Sequence, residues 1–236
     1  MLPYCTPNGS LSFSVTGIEA AKHQEINQII GFIYLAHGCF ALPLSCFVLA
    51  VFCSESLRQH SCYKLMAFVN ILDILNLINA CVFAGFFSLF EVTHCTHGMF
   101  VVYVASWQFG CWFLYNGACQ VLALNRLLQF VNKNLANFFF NGRRVYLWLL
   151  VAFGYDAALN AAIPDPFYFY NPYEGSYYFL RASGAANVVQ IYANFCKSGF
   201  TTVVYILMLI LMYLGNKNLG LKKVSSFELK VSLQTL

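Results

Sequence analysis

The chain has 236 residues and a net charge of +4; 60% of it is hydrophobic, 18% aromatic and only 9% charged, with a mean hydropathy of +0.64. Soluble domains carry about a quarter of their residues as charges, so this chain cannot cover a water-facing surface and its main solvent is lipid. The small net charge, with no basic stripe interleaved with aromatics, excludes nucleic acid as a partner.

The chain opens with MLPYCTPNGSLSF, which lacks a basic region followed by an apolar core and so predicts no cleavable signal peptide. Its Asn8-Gly9-Ser10 is the single N-x-S/T site, which makes Asn8 the candidate glycosylation position. A spanning helix needs about 20 mostly apolar residues. Five stretches meet this, at about 29–53, 65–90, 99–124, 145–163 and 191–214. The cleanest part of the fifth, 199–214, would rise only about 24 Å as a helix, so the span is extended back past Lys197 and Asn194. The connections are short and no repeat is visible. The expectation is an all-α membrane protein, one antiparallel bundle of five helices, with residues 1–28 before it and a tail at 215–236.

Basic residues set the orientation. With the flanks numbered alternately, one side holds Arg58, Lys64, Arg126, Lys133, Arg143, Arg144, Lys217, Lys222, Lys223 and Lys230. The other holds Lys22, Arg181 and Lys197. The richer side is expected to be cytoplasmic. The prediction is a multi-pass protein with its N-terminus external and its C-terminus inside.

Few polar residues fall within the spans, and each is costly there. Asp73 has Asn70 and Asn76 one turn away on either side, which predicts a small polar network; a conformational network, with or without sodium, and a plain hydrogen-bonded brace fit equally. In the third span, counting back from Arg126 by 4, 7, 11, 14 and 18 gives Leu122, Cys119, Tyr115, Trp112 and Gln108, all on one helix face. A helix facing a bundle interior has this pattern. Alone, Arg126 reads as a snorkelling arginine at a helix end. Gln108, Trp112 and Tyr115 are candidates for a ligand pocket. Asp156 is another, although a bond to Asn160 one turn on is the simpler reading. Lys197 is expected to snorkel outward; facing inward, it would suit an acidic ligand.

In the external connections, His94-Cys95-Thr96-His97 could bind a metal, but further ligands are lacking and a disulfide is preferred on an oxidising side. Cys95 could pair with Cys196 or with Cys5. PFYFYNPYEGSYYF, 166–179, reads as an aromatic belt at the membrane interface, with a lid over an apolar ligand as the alternative. The ten cysteines form no CxxC pair, so no metal site is predicted. No phosphate loop, HExxH, GxSxG or paired carboxylates occur, so neither catalysis nor a cofactor is predicted.

Three stretches in order, SCYKLMAFVNILDILNLINA (61–80), GCWFLYNGACQVLALNRLLQF (110–130) and FFFNGRRVYLWLL (138–150), resemble the nematode serpentine receptor class T family of seven-helix chemoreceptors. The resemblance runs over about residues 25–236. It implies a rhodopsin-like G protein-coupled receptor fold, a small-molecule ligand from outside, and a heterotrimeric G protein as partner. It implies that Arg126 holds the cytoplasmic helix ends in the resting state and meets the G protein in the active one. Asn125 stands where better-known receptors carry the acidic partner of that arginine, and Asp73 where they carry a second-helix aspartate. Residues 164–190 contain no cysteine, which departs from the familiar bridge between the third helix and the second external loop. The tail 215–236 looks like a third inner loop and the opening turn of a sixth helix, so two of the seven helices are missing from the resemblance. The alternative is a non-signalling five-span membrane protein, either a truncated or degenerate receptor or a partner of a full-length one.

Overall fold

A computed structural model describes residue 5 and residues 17–182, 184, 185 and 187–218, with the side chains of 17–25 and 214–218 excepted. Asn8 and the tail from 219 onward lie outside the described residues.

In chain order the helices are α1 (Gly17–Phe52), α2 (Glu55–Arg58), α3 (Ser61–Leu77), α4 (Ala84–Leu89), α5 (His94–His97), α6 (Met99–Val131), α7 (Lys133–Phe140), α8 (Arg144–Ala161) and α9 (Val188–Asn218). A π-helical turn, Ile78–Phe83, joins α3 to α4. Between α8 and α9 the chain forms an antiparallel hairpin, β1 (Pro166–Asn171) and β2 (Ser176–Arg181), in which Phe167 faces Leu180 and Phe169 faces Tyr178.

Among the described residues, three helices are long and apolar enough to cross a membrane by length and composition: Ile26–Phe52, Ser61–Leu89 and Val188–Tyr213. They match the first, second and fifth expected spans. The third and fourth, α6 and α8, fall outside that set for different reasons. α6 sits at the centre, packed against α3, α7, α8, α9 and the hairpin, and buries Gln108, Asn116, Asn125 and Arg126. A helix enclosed by protein can be more polar than one facing lipid. α8 is short and carries Arg144, Asp156 and Asn160. Its outward face is nevertheless apolar, with Leu147, Leu150, Val151 and Phe153 exposed. α1 shows the opposite extreme, exposing Phe32, Phe40, Leu44 and Phe47 along its length, as a helix mostly surrounded by hydrocarbon does.

The hairpin departs from the all-α expectation, and its physical reason lies in the Phe-Tyr-Phe-Tyr alternation of 167–170. Phe167 and Phe169 pack with Val102 on one face. On the other, Tyr168 packs with Phe109 and Tyr170 with Phe87. All four are buried. The aromatic segment therefore packs into the bundle as a plug across one of its mouths. Its turn is built locally: the Asn171 side-chain carbonyl accepts from Tyr173 N at 3.1 Å, and Gly175 adopts φ +61°. That turn rests on α1, where Tyr34 donates to the Gly175 carbonyl at 2.8 Å.

α1 meets α4 through glycine. A Cβ on Gly85 would lie 2.8 Å from Leu35 Cγ and 3.1 Å from the Gly31 carbonyl; one on Gly31 would lie 2.9 Å from the Gly85 carbonyl. Small residues allow this backbone approach where lipid gives the helices no hydrophobic drive to associate. Gly85→Leu is expected to lower stability by about 1–3 kcal/mol, the usual cost of overpacking, read as a lower Tm of the purified protein in detergent; an unchanged Tm would remove this contact from the account.

Candidate functional site

The polar residues of α3, α6 and α9 converge inside the bundle. Lys197, on α9, turns inward: its Nζ lies 4.5 Å from the ring centroid of Tyr115 and 5.0 Å from that of Trp112. This corrects the outward-snorkelling expectation. Two aromatic faces supply a favourable field for an ammonium, worth about 2 kcal/mol or more where water is excluded, and the two rings themselves stack with centroids 6.1 Å apart. One turn before Lys197, the Asn194 side-chain carbonyl accepts from Trp112 Nε1 at 3.0 Å and from Asn116 Nδ2 at 3.3 Å.

Asp73 enters from α3. Its carboxylate interacts with the Tyr115 hydroxyl and lies within the field of Lys197. Cys119 stands beside the same hydroxyl. The aspartate's company is thus across the bundle, on α6 and α9, rather than along its own helix as the sequence spacing suggested. Asn70 and Asn76 each bury an Oδ1 that has no hydrogen-bond partner among the described residues.

The four pocket candidates separate. Trp112 and Tyr115 belong to this cluster. Gln108 is buried one turn above Trp112, with an unpartnered Oε1. Asp156 is elsewhere, on α8, accepting from Asn160 Nδ2 at 2.6 Å. Asn116 and Asn194 were missed, yet the spacing carried a signal: Trp112 and Asn116 are four apart and Asn194 and Lys197 three apart, so each pair shares a helix face.

At the other end of α6, Arg126 is only 7% exposed. Its Nη2 donates to Met66 Sδ at 2.9 Å, and its charge reaches the Cys62 thiol and the Tyr205 hydroxyl. The arginine points into the bundle between α3 and α9, where a snorkelling side chain would point to the interface. Asn125 is fully buried and accepts from Gln129 Nε2 at 3.2 Å.

At the hairpin end, Cys5 is disulfide-bonded to Cys95, while Cys196 is exposed and free. His94 lies close enough to complete a Cys5–His94–Cys95 group of metal-ligand type, but the disulfide takes up both sulfurs. Tyr177 donates to the Asn79 carbonyl at 3.1 Å, a carbonyl of the π-helical turn. Tyr170 and Ser88 share a bond of 2.5 Å. Burial pushes the Tyr168 hydroxyl up to about 12 and raises Tyr170 and Tyr177 as well, so these phenols remain proton donors through the physiological range.

A family model described as "Serpentine type 7TM GPCR chemoreceptor Srt" matches residues 10–236. No curated protein matches the chain.

If Asp73 and Lys197 act on one another through Tyr115, their replacements are non-additive. Asp73→Asn and Lys197→Met should each destabilise, and the double variant should recover about 0.5–3 kcal/mol relative to their sum. Thermal unfolding of the four proteins in one detergent reads this; strict additivity would show that the two charges are independent.

Proposed function

The chain belongs to the Srt family of serpentine seven-transmembrane chemoreceptors, and we propose that it serves as a G protein-coupled chemosensory receptor for an external small molecule. One observation carries the reading: Asp73 of α3 and Asn194 and Lys197 of α9 gather on Trp112 and Tyr115 of the central helix α6, which also carries the buried Arg126. A ligand that binds one arrangement of α3 and α9 about α6 more tightly than another shifts the population toward it. The same helices enclose Arg126, so the shift is felt at the end where a G protein would bind.

The proposed topology has five crossings, about 29–53, 65–90, 99–124, 145–163 and 191–214, in the arrangement of a rhodopsin-like bundle. The N-terminal segment, the disulfide and the hairpin lie outside, and Arg58, Arg126, Arg143 and Arg144 lie inside. Supporting it, basic residues gather at the Arg126 end, and the Cys5–Cys95 disulfide suits an oxidising exterior. In this reading Asn125 and Arg126 serve G protein coupling. Asp73, with Asn70 and Asn76 near it, forms the conformational network. Gln108, Trp112 and Tyr115 face the ligand, with Asp156 at the margin, and Asn8 would carry the external glycan. The partners are the bilayer, a heterotrimeric G protein and the ligand; no catalytic step is assigned.

Arg126→Ala is expected to reduce agonist-stimulated nucleotide exchange on the G protein by tenfold or more while leaving surface expression unchanged. Normal exchange in that variant would sink the coupling role. Epitope tags at the N-terminus and after residue 218 should label from opposite faces of the membrane, and labelling from one face would overturn the five crossings.

A further inference from the structure

Two apolar grooves meet along α8. One, of about 340 Å³, runs between α7 and α8 past Phe138, Phe139, Arg144 and Leu147. The other, of about 180 Å³, lies between α6, α8 and α9 against Gln120, Tyr155 and Phe200. Both are lined by Trp148 and Val151, so they adjoin there, and a chain crossing both would lie along one trench. Arg144, Trp148, Val151 and Tyr155 stand at offsets of 4, 7 and 11, a single face of α8. At 1.5 Å per residue that face runs roughly 16 Å from Arg144 to Tyr155, which is half the ~30 Å hydrocarbon core and so the depth of one leaflet. The deep end closes where α6 and α8 touch: a Cβ on Gly117 would lie 3.1 Å from Tyr155 Cδ1 and 3.3 Å from the Ala152 carbonyl.

The wall is preformed. Trp148 Nε1 donates to the Phe139 carbonyl at 3.1 Å, and its ring stacks on Phe140 with centroids 5.0 Å apart, so binding need not order it. The shallow end carries charge. Arg143 and Arg144 are both exposed. The Arg144 guanidinium bonds the Phe138 carbonyl and lies 5.0 Å from the Phe138 ring centroid. A guanidinium has five N–H donors, so most of its capacity faces outward.

We propose that this trench is a binding site for one anionic glycerophospholipid of the adjoining leaflet. Its phosphate and acidic headgroup meet Arg143 and Arg144, and one acyl chain runs past Trp148 and Val151 to Tyr155. Three features select this occupant. The groove is lined by hydrocarbon and aromatic rings, which calls for a chain. Its length is one leaflet, which calls for a lipid rooted at the interface. Arg144 lines its mouth, with the exposed Arg143 preceding it in sequence, which sets the headgroup charge. The site goes beyond the receptor reading; it rests on the proposed crossing by α8 and does not depend on signalling.

The test is competitive lipid binding to the purified full chain, followed by native mass spectrometry, with phosphatidylserine and phosphatidylcholine of identical acyl chains. Wild type is expected to retain phosphatidylserine at least tenfold better. Arg143→Gln/Arg144→Gln should bring the preference near unity, since each arginine at a membrane surface contributes roughly fivefold. Val151→Trp should fill the trench and reduce retention of both lipids severalfold. Equal retention of the two lipids by wild type overturns the proposal, as does their displacement by a sterol or unchanged binding in Val151→Trp. Because Arg144 also braces α7, the wild-type comparison and Val151→Trp remain decisive if the double variant does not fold.

Discussion

A polar side chain placed within a bilayer has to find its partner inside the protein, since hydrocarbon offers none. α6 concentrates that demand. Gln108, Trp112, Tyr115, Asn116, Cys119, Asn125 and Arg126 all lie on it, and α3, α8 and α9 close around it. The arrangement of the other helices follows. α9 brings Asn194 to Trp112 and Asn116 and lays Lys197 over two rings; α3 brings Asp73 to Tyr115 and Met66 to Arg126. Among the described residues α1 has no extensive packing on α6; it exposes Phe32, Phe40, Leu44 and Phe47, meets α4 through the glycine contact and packs on α3, while its Tyr34 holds the hairpin turn.

The two ends of the bundle are held by different chemistry. At the hairpin end the contacts are hydrogen bonds with good acceptors. In the π-helical turn the Asn79 carbonyl accepts from the Ala84 N–H, and Tyr177 adds a second donor to it. Tyr34 fixes the hairpin turn, Ser88 meets Tyr170, and a disulfide joins residue 5 to the start of the next helix. At the other end Arg126 itself donates to a thioether, which is a weak acceptor, although Trp148 and Arg144 there donate to the Phe139 and Phe138 carbonyls. A bond to sulfur gives up less when it breaks than a charge-assisted bond to a carboxylate. Arg126 is therefore held less firmly than a carboxylate partner would hold it.

The sequence displayed most of this at the level of helices and little of it at the level of partners. Apolar length located the helices of residues 29–53, 65–90 and 191–214 because their lipid-facing surface is written into composition. The 3.6-residue period of Gln108, Trp112, Tyr115 and Cys119 identified the inward face of α6, since one face needs only one helix to be read. Asp73 was legible as a buried carboxylate, but its nearest amides in sequence, Asn70 and Asn76, are not its company; the choice of Tyr115 and Lys197 depends on helix rotation and crossing, which spacing along one helix does not contain. Lys197 was misjudged for the same reason. A lysine near a helix end snorkels unless aromatic faces lie within reach, and those faces belong to α6. The hairpin was hidden by its setting: a Phe-Tyr alternation reads equally as an interfacial belt and as a strand buried on both sides.

The cluster around Lys197 also carries an energetic mark. Gln108, Asn116, Asn70 and Asn76 bury carbonyl oxygens with no hydrogen-bond partner among the described residues, and each such atom costs about 1–3 kcal/mol. Apolar residues of similar size would remove that cost, and within a membrane the hydrogen bonds these side chains do make return on average only about 0.6 kcal/mol each. A helix selected for stability alone would not collect amides at this depth. Their gathering on the inward faces of α3 and α6, beside a cation held by π-faces rather than by a close carboxylate, puts unpaired acceptors and a charge together inside the bundle, and the proposed ligand site rests on that feature.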